Sequence, residues 1–227
     1  MKKNVMVAVS SLPAEREIFD YVKRVQQDAD FLHCDIMDGT ITPDKTLLDS
    51  STVQLINERS TLPLDVHLMV RTPETYILKY AKAGANIISV HLEAFTDTNL
   101  AIKCLQLIKK NKCLAGIAID NPTSIDRVEP ILPYCDIVLV MSVNIGKSGQ
   151  KFDENAVEKV KYLAQLKKEK DYKYLIEVDG GINSTNCGKL IKNGADILVS
   201  GSYVFNESSS QLAISKLKNL VNKNKKI

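Results

Sequence analysis

Short β-forming runs alternate with amphipathic stretches eight times along this chain, and that alternation leaves few folds open. The runs cover 5–9, 30–37, 63–70, 85–91, 113–120, 135–142, 173–179 and 196–200. Helical periodicity covers 14–28, 45–59, 74–83, 97–111, 124–132, 154–169, 184–193 and 207–222. Pro73 ahead of Glu74 opens one helix, and Asn183 with Ser184 offers a cap for another. Gly84 and Gly194 stop helices just before strands. Strands separated by helices pair in parallel through crossovers. Eight such units in 227 residues predict an α/β protein built as a closed (β/α)8 TIM barrel, a fold of about 250 residues as a rule. A doubly wound open sheet is the alternative, but Ser10, Ser11 and Leu12 stand where its glycine-rich first turn belongs. No linker breaks the pattern, so 1–227 reads as one barrel domain with a short basic tail at about 223–227, carrying Lys223, Lys225 and Lys226.

Composition narrows the function. Lys and Arg total 30 against 27 Asp and Glu, a net charge of +3, too small an excess to make nucleic acid or an anionic membrane the main partner. Trp is absent and aromatics are 6%, which disfavours base-stacking platforms. No window approaches the ~18 apolar residues of a membrane span. Lys2 and Lys3 precede an apolar run that stops at Val9 with no cleavage pattern behind it, so a cytoplasmic protein is expected. The five cysteines, Cys34, Cys104, Cys113, Cys135 and Cys187, form no CxxC and read as reduced packing residues.

Strands of a parallel sheet are covered on both faces and should be almost wholly apolar, so their polar residues are informative. In the second run Phe31, His33, Asp35 and Met37 share one face, and Leu32, Cys34 and Ile36 the other. In the third, Asp65, His67 and Met69 oppose Leu64, Val66, Leu68 and Val70; in the seventh, Glu177 and Asp179 oppose Ile176 and Val178. All are expected near the C-terminal strand ends, where barrel enzymes carry their chemistry. An unpaired buried charge loses several kcal/mol of hydration, on the order set by desolvation. These groups therefore satisfy one another in a hydrogen-bonded network or jointly bind a cation. His33, Asp35, His67 and Asp179 make a two-imidazole, two-carboxylate set that suits one divalent metal ion, Zn2+, Fe2+, Mn2+ or Co2+. His91 also ends a strand and reads as a structural hydrogen-bonding residue. Glycine-bearing loops after the last strands, Gly146 to Gly149, Asp179-Gly180-Gly181 and Ser200-Gly201-Ser202, suit a phosphate group.

Seven segments, "HCDIMDG" (33–39), "LDVHLM" (64–69), "AGANIISVHLEA" (83–94), "VLVMSVN" (138–144), "GQKF" (149–152), "IEVDGGIN" (176–183) and "VSGSYVF" (199–205), resemble the ribulose-phosphate 3-epimerase family in the expected order. The resemblance implies a cytoplasmic, metal-dependent epimerase of the pentose phosphate pathway. It would interconvert D-ribulose 5-phosphate and D-xylulose 5-phosphate, bind no nucleic acid or membrane, and assemble as a dimer or hexamer. It implies metal ligation by His33, Asp35, His67 and Asp179, and proton transfer by Asp35 and Asp179. It implies substrate contacts at Ser10, His67, Met37, Met69, Met141, Gly149, Gly180, Gly181, Gly201 and Ser202. The chain departs from the family pattern after the first strand, at 40–44 and at 144–150, where Ile145 and Lys147 stand in place of proline and phenylalanine. Those changes leave the four ligand positions intact. They keep open a related substrate such as D-allulose 6-phosphate, or a sugar-phosphate-binding barrel without turnover. A decarboxylase or aldolase reading lacks the lysine such chemistry commonly needs at a strand end.

Overall fold

The computed structural model describes residues 5–146 and 149–223. Lys2, Lys3, Lys147, Ser148, Lys225 and Lys226 lie outside the described residues. Eight parallel strands close on themselves among the described residues: β1 (Met6–Ser10), β2 (Phe31–Met37), β3 (Leu64–Met69), β4 (Ala85–His91), β5 (Leu114–Ile119), β6 (Ile137–Met141), β7 (Leu175–Asp179) and β8 (Ile197–Ser200). Closure comes from β8 pairing with β1, Met6 against Ile197, which excludes the open doubly wound sheet.

The outer layer holds α1 (Ile18–Val25), α2 (Ser50–Arg59), α3 (Glu74–Lys82), α4 (Thr98–Lys110), α5 (Asn155–Glu169), α6 (Cys187–Asn193), α7 (Ser202–Asn206) and α8 (Ser210–Lys223). Asp49 caps α2 by accepting from the Thr52 N–H at 2.7 Å, and Asp97 caps α4 through the Asn99 N–H at 2.9 Å. Gly84 and Gly194 end α3 and α6 at φ +103° and +116°, as their places in the sequence suggest. Leu32, Cys34, Ile36, Leu64, Val66, Leu68, Ile176 and Val178 all enter the core between strands and helices. At roughly 1.5–3 kcal/mol for each large apolar side chain, this layer carries the fold. Inside the barrel, Ala8, Ile87, Ile137, Ile197 and Val199 form a separate apolar floor, with Met6, Phe31 and Leu175 packed against it. The five cysteines are buried and unbridged. Among the described residues no helix is long and apolar enough to cross a membrane.

Several helices differ from their sequence-based expectation. The stretch 124–132 holds two 3-10 turns, Ile125–Arg127 and Glu129–Tyr134, instead of an α-helix, because Pro130 and Pro133 lack the N–H groups an α-helix needs. The first helix splits into a 3-10 turn, Leu12–Glu17, opened by Pro13, and then α1. An extra short helix, α7, follows β8 directly. The cap of α6 is Asn186, three residues beyond Asn183, which instead accepts from the Thr185 N–H in a local turn.

Candidate active site

The register of the barrel brings the polar strand residues together. β2 and β3 pair with Asp35 opposite His67 and His33 opposite Asp65, so four polar side chains enter one sector of the interior. β7 delivers Asp179 from across the mouth, beside Met141 of β6. One ligand-type atom from each of His33, Asp35, His67 and Asp179 lies within 4.8 Å of all the others. His33 Nε2 is 3.4 Å from His67 Nδ1 and 3.5 Å from Asp35 Oδ1, and His67 Nδ1 is 3.3 Å from Asp35 Oδ1. Asp179 Oδ2 stands 3.8 Å from His33 Nε2 and 4.0 Å from His67 Nδ1. A tetrahedral ion with bonds of about 2.0–2.1 Å separates its ligand atoms by about 3.3–3.4 Å, so this donor set fits a divalent metal ion.

The outward nitrogen of each imidazole is already held. His33 Nδ1 lies 2.5 Å from Asp65 Oδ2, and His67 Nε2 lies 2.8 Å from His91 Nε2. Such partners fix the orientation of a metal-binding histidine. His91 in turn places Nδ1 3.1 Å from Glu93 Oε2. Ser10 donates its hydroxyl to Asp35 Oδ2 at 2.8 Å.

The two aspartates have opposite electrostatic surroundings. Burial acts to raise Asp35, but the charge of His33 and the hydrogen bond from it outweigh burial and hold the carboxyl well below the usual range. Burial and the adjacent Asp35 charge push Asp179 up to about 7. Burial opposes charge on His33, yet the Asp65 and Asp35 carboxylates keep it well above an ordinary imidazole. Burial, joined by His91 and His33, brings His67 down to about 4.

Asp65 and Glu177 correct one expectation. They point inward, but they sit early in β3 and midway along β7, behind His33 and away from the mouth. Glu177 is fully buried, neither of its oxygens has a hydrogen-bond partner, and burial followed by the Asp65 charge drives its acidity far down.

In front of the cluster opens a cleft of about 510 Å³, solvent at its mouth included. Ser10, Asp35, Met69, Met141, Gly149, Asp179, Gly180, Gly181, Gly201 and Ser202 all line it. His33 and His67 are wholly buried behind the wall. Met37 is buried next to Met69 in the register and is not one of the lining residues. The β7 loop is firmly built. Gly180 and Gly181 take φ +122° and +63°, and a Cβ on Gly181 would lie 2.8 Å from the Gln150 carbonyl oxygen. Ser142 donates its hydroxyl to the Gly180 carbonyl at 2.6 Å, and the Asn186 amide donates to the Gly181 carbonyl at 2.9 Å. Leu12, Val143, Asn144, Gln150 and Ile182 also line the cleft and are absent from the sequence-based set. They are loop residues of ordinary type, with no polar-in-strand signal to mark them.

A family model described as the ribulose-phosphate 3 epimerase family matches residues 6–205. The ribulose-phosphate 3-epimerase of Aquifex aeolicus is 40% identical over 198 residues, 87% of this chain and 87% of its own. That of Bacillus subtilis is 38% identical over 217 residues, 94% of this chain and 98% of its own. Among solved structures, 3-hexulose-6-phosphate synthase from Salmonella typhimurium is similar at a TM-score of 0.72 and 15% identity, covering 97% of this chain and 100% of that one, a likeness of fold alone. On sequence, this chain belongs to the ribulose-phosphate 3-epimerase family.

Proposed function

We propose that this chain interconverts D-ribulose 5-phosphate and D-xylulose 5-phosphate by inverting C3. One observation carries the reading: Asp35 and Asp179 line one cleft from opposite parts of the barrel, on β2 and β7. Inversion next to a ketone needs a proton removed from one face of C3 and another delivered to the opposite face of a planar cis-enediolate. Asp35 as carboxylate takes the C3 proton, and Asp179, carrying a proton taken up again from solvent as substrate binds, gives it to the opposite face. Their protonation states are then exchanged, which is the state the reverse reaction requires. His33, Asp35, His67 and Asp179 would hold a divalent ion, and Zn2+, Fe2+, Mn2+ or Co2+ would supply positive charge that stabilises developing negative charge on the substrate. Ser10 keeps Asp35 aimed through its hydroxyl. Met69 and Met141, backed by Met37, offer apolar, polarisable walls with no competing proton. Backbone amides around Gly149, Gly180, Gly181, Gly201 and Ser202 grip the phosphate, whose remote binding energy orients C3.

The family likeness brings with it a cytoplasmic homo-oligomer, dimer or hexamer, which sedimentation of the purified protein tests. The activity is tested by a coupled assay with 2-ketose 5- and 6-phosphates after chelation and reloading with each metal. Turnover of D-ribulose 5-phosphate is expected. Turnover of D-allulose 6-phosphate alone would move the assignment to the hexulose, and tight binding with no turnover of any substrate would reject catalysis.

A further inference from the structure

We propose that Glu93 and His91 are positioning residues that fix the tautomer of His67, so that its Nδ1 lone pair faces the ligand cluster. The proposal rests on the metal-dependent reading above. It starts from a contact that sequence cannot show: the Nε2 atoms of two fully buried imidazoles, His67 and His91, face each other at 2.8 Å. Between two such nitrogens one must donate and the other accept. Which does so is decided one residue further out.

Glu93 Oε1 accepts from the Asp120 backbone N–H at 3.0 Å and from the Thr123 hydroxyl. A backbone N–H can only donate, so this oxygen is an acceptor, as expected of a carboxylate. Burial acts to raise Glu93, but hydrogen bonds from His91, Thr123 and the Asp120 N–H outweigh it and bring the carboxyl down to about 2, so Oε2 is also an ionised acceptor and His91 Nδ1 at 3.1 Å carries a proton. With one proton on its ring, His91 has a bare Nε2, which accepts from His67 Nε2–H at 2.8 Å. His67 Nδ1 is thereby stripped of hydrogen and presents a lone pair 3.4 Å from His33 Nε2 and 3.3 Å from Asp35 Oδ1. The chain from Glu93 through His91 thus does for His67 what Asp65 does directly for His33.

Glu93→Gln is nearly isosteric and reverses the relay. The Asp120 N–H and Thr123 hydroxyl retain the amide oxygen, which turns the amide NH2 toward His91 Nδ1. His91 then carries its proton on Nε2, and His67 must carry its own on Nδ1, pointed at the metal position. The test is Zn2+ affinity, measured by competition with a chromophoric chelator, together with histidine 15N spectra of the Zn2+-loaded and metal-free proteins. The chain has three histidines, so assignment is tractable. Glu93→Gln is expected to weaken Zn2+ binding by about 10–100-fold, the usual cost of a lost outer partner, and to shift the His67 proton from Nε2 to Nδ1. Glu93→Asp, which keeps a carboxylate, should recover part of the loss. If Glu93→Gln does not fold, the wild-type spectrum still decides: protons on His91 Nδ1 and His67 Nε2 are required, and any other arrangement overturns the relay. Wild-type Zn2+ affinity in folded Glu93→Gln would overturn the relay while leaving the metal reading standing. A wild-type protein that binds no Zn2+ would sink both.

Discussion

Metal binding to this cluster should expel protons, and the structure fixes how many. A proton on any ligand atom must leave before the ion can enter. Asp179, pushed up to about 7, is mostly protonated at pH 6 in the metal-free protein. His33, held well above an ordinary imidazole, contributes a second proton to whatever extent it is charged. His67, at about 4, and Asp35, held low, contribute none at that pH. One to two protons per ion, roughly, should therefore appear at pH 6. Affinity is lost as pH falls through the Asp179 value. Between pH 5 and pH 7 it should rise by at least about 50-fold, or about 2.3 kcal/mol at 1.36 kcal/mol per tenfold. Above pH 7 the Asp179 contribution disappears and the slope falls by about one. Calorimetric titration with Zn2+ in two buffers of different ionisation enthalpy counts the protons directly. Asp179→Asn cannot titrate and should release about one fewer. Zero proton release by the wild-type protein at pH 6, or an unchanged count in Asp179→Asn, would refute the electrostatic reading of the pair.

The catalytic pair makes a second prediction. Asp35→Asn and Asp179→Asn should fold, by circular dichroism, yet lose about 10²–10⁴ in kcat, or roughly 3–5 kcal/mol of barrier lowering. In D2O each variant should wash deuterium into C3 of one epimer only, and the opposite one; exchange of both epimers by either variant would contradict two-base transfer. Gly181→Ala places a Cβ against the Gln150 carbonyl at 2.8 Å and the Phe152 N at 2.9 Å, at φ +63°. Its cost should be about 1–3 kcal/mol of stability, with KM rising more than kcat falls, and an unchanged Tm and KM would count against a rigid phosphate loop. Glu177→Met replaces a buried acid lacking hydrogen-bond partners by an apolar chain of similar length. Relief of about 1–3 kcal/mol should raise Tm by about 2–10 °C, checked by calorimetry, and a lower Tm would show that the acid is satisfied where it stands.

The strands and their two faces were legible because a parallel barrel strand is covered on both sides. Against that apolar background His33, Asp35, His67 and Asp179 stand out by letter alone, and alternation sends them all inward. Depth was not legible. Asp65 and Glu177 share those faces, but barrel strands tilt and stagger, so position in one strand does not fix height against another. Only the register, His33 beside Asp65 and Leu139 beside Glu177, shows them behind the cluster. The direction of His91 was equally hidden, since its partner His67 lies on another strand and its partner Glu93 is held by Asp120 and Thr123 of a separate loop. The lost helix at 124–132 did have a signal, Pro130 and Pro133, which helical periodicity alone overrides too easily.

That vertical order bears on how the site works. Ala8, Ile87, Ile137, Ile197 and Val199 close the barrel with apolar side chains on one side of the aspartates, and the cleft opens to solvent on the other. Polar groups directly above an apolar floor interact through a medium far less screening than water. A carboxylate, Asp35, can then drive up the proton affinity of Asp179 from a few ångströms away, and Asp65 can do the same to Glu177. The same floor makes each group costly to bury, which is why nearly every nitrogen and oxygen of the two ligand imidazoles and Asp35 is aimed at a named partner. Apolar packing below and mutual satisfaction above are two halves of one arrangement. The first holds the pair of aspartates at unlike proton affinities, and the second keeps their geometry fixed while a proton moves.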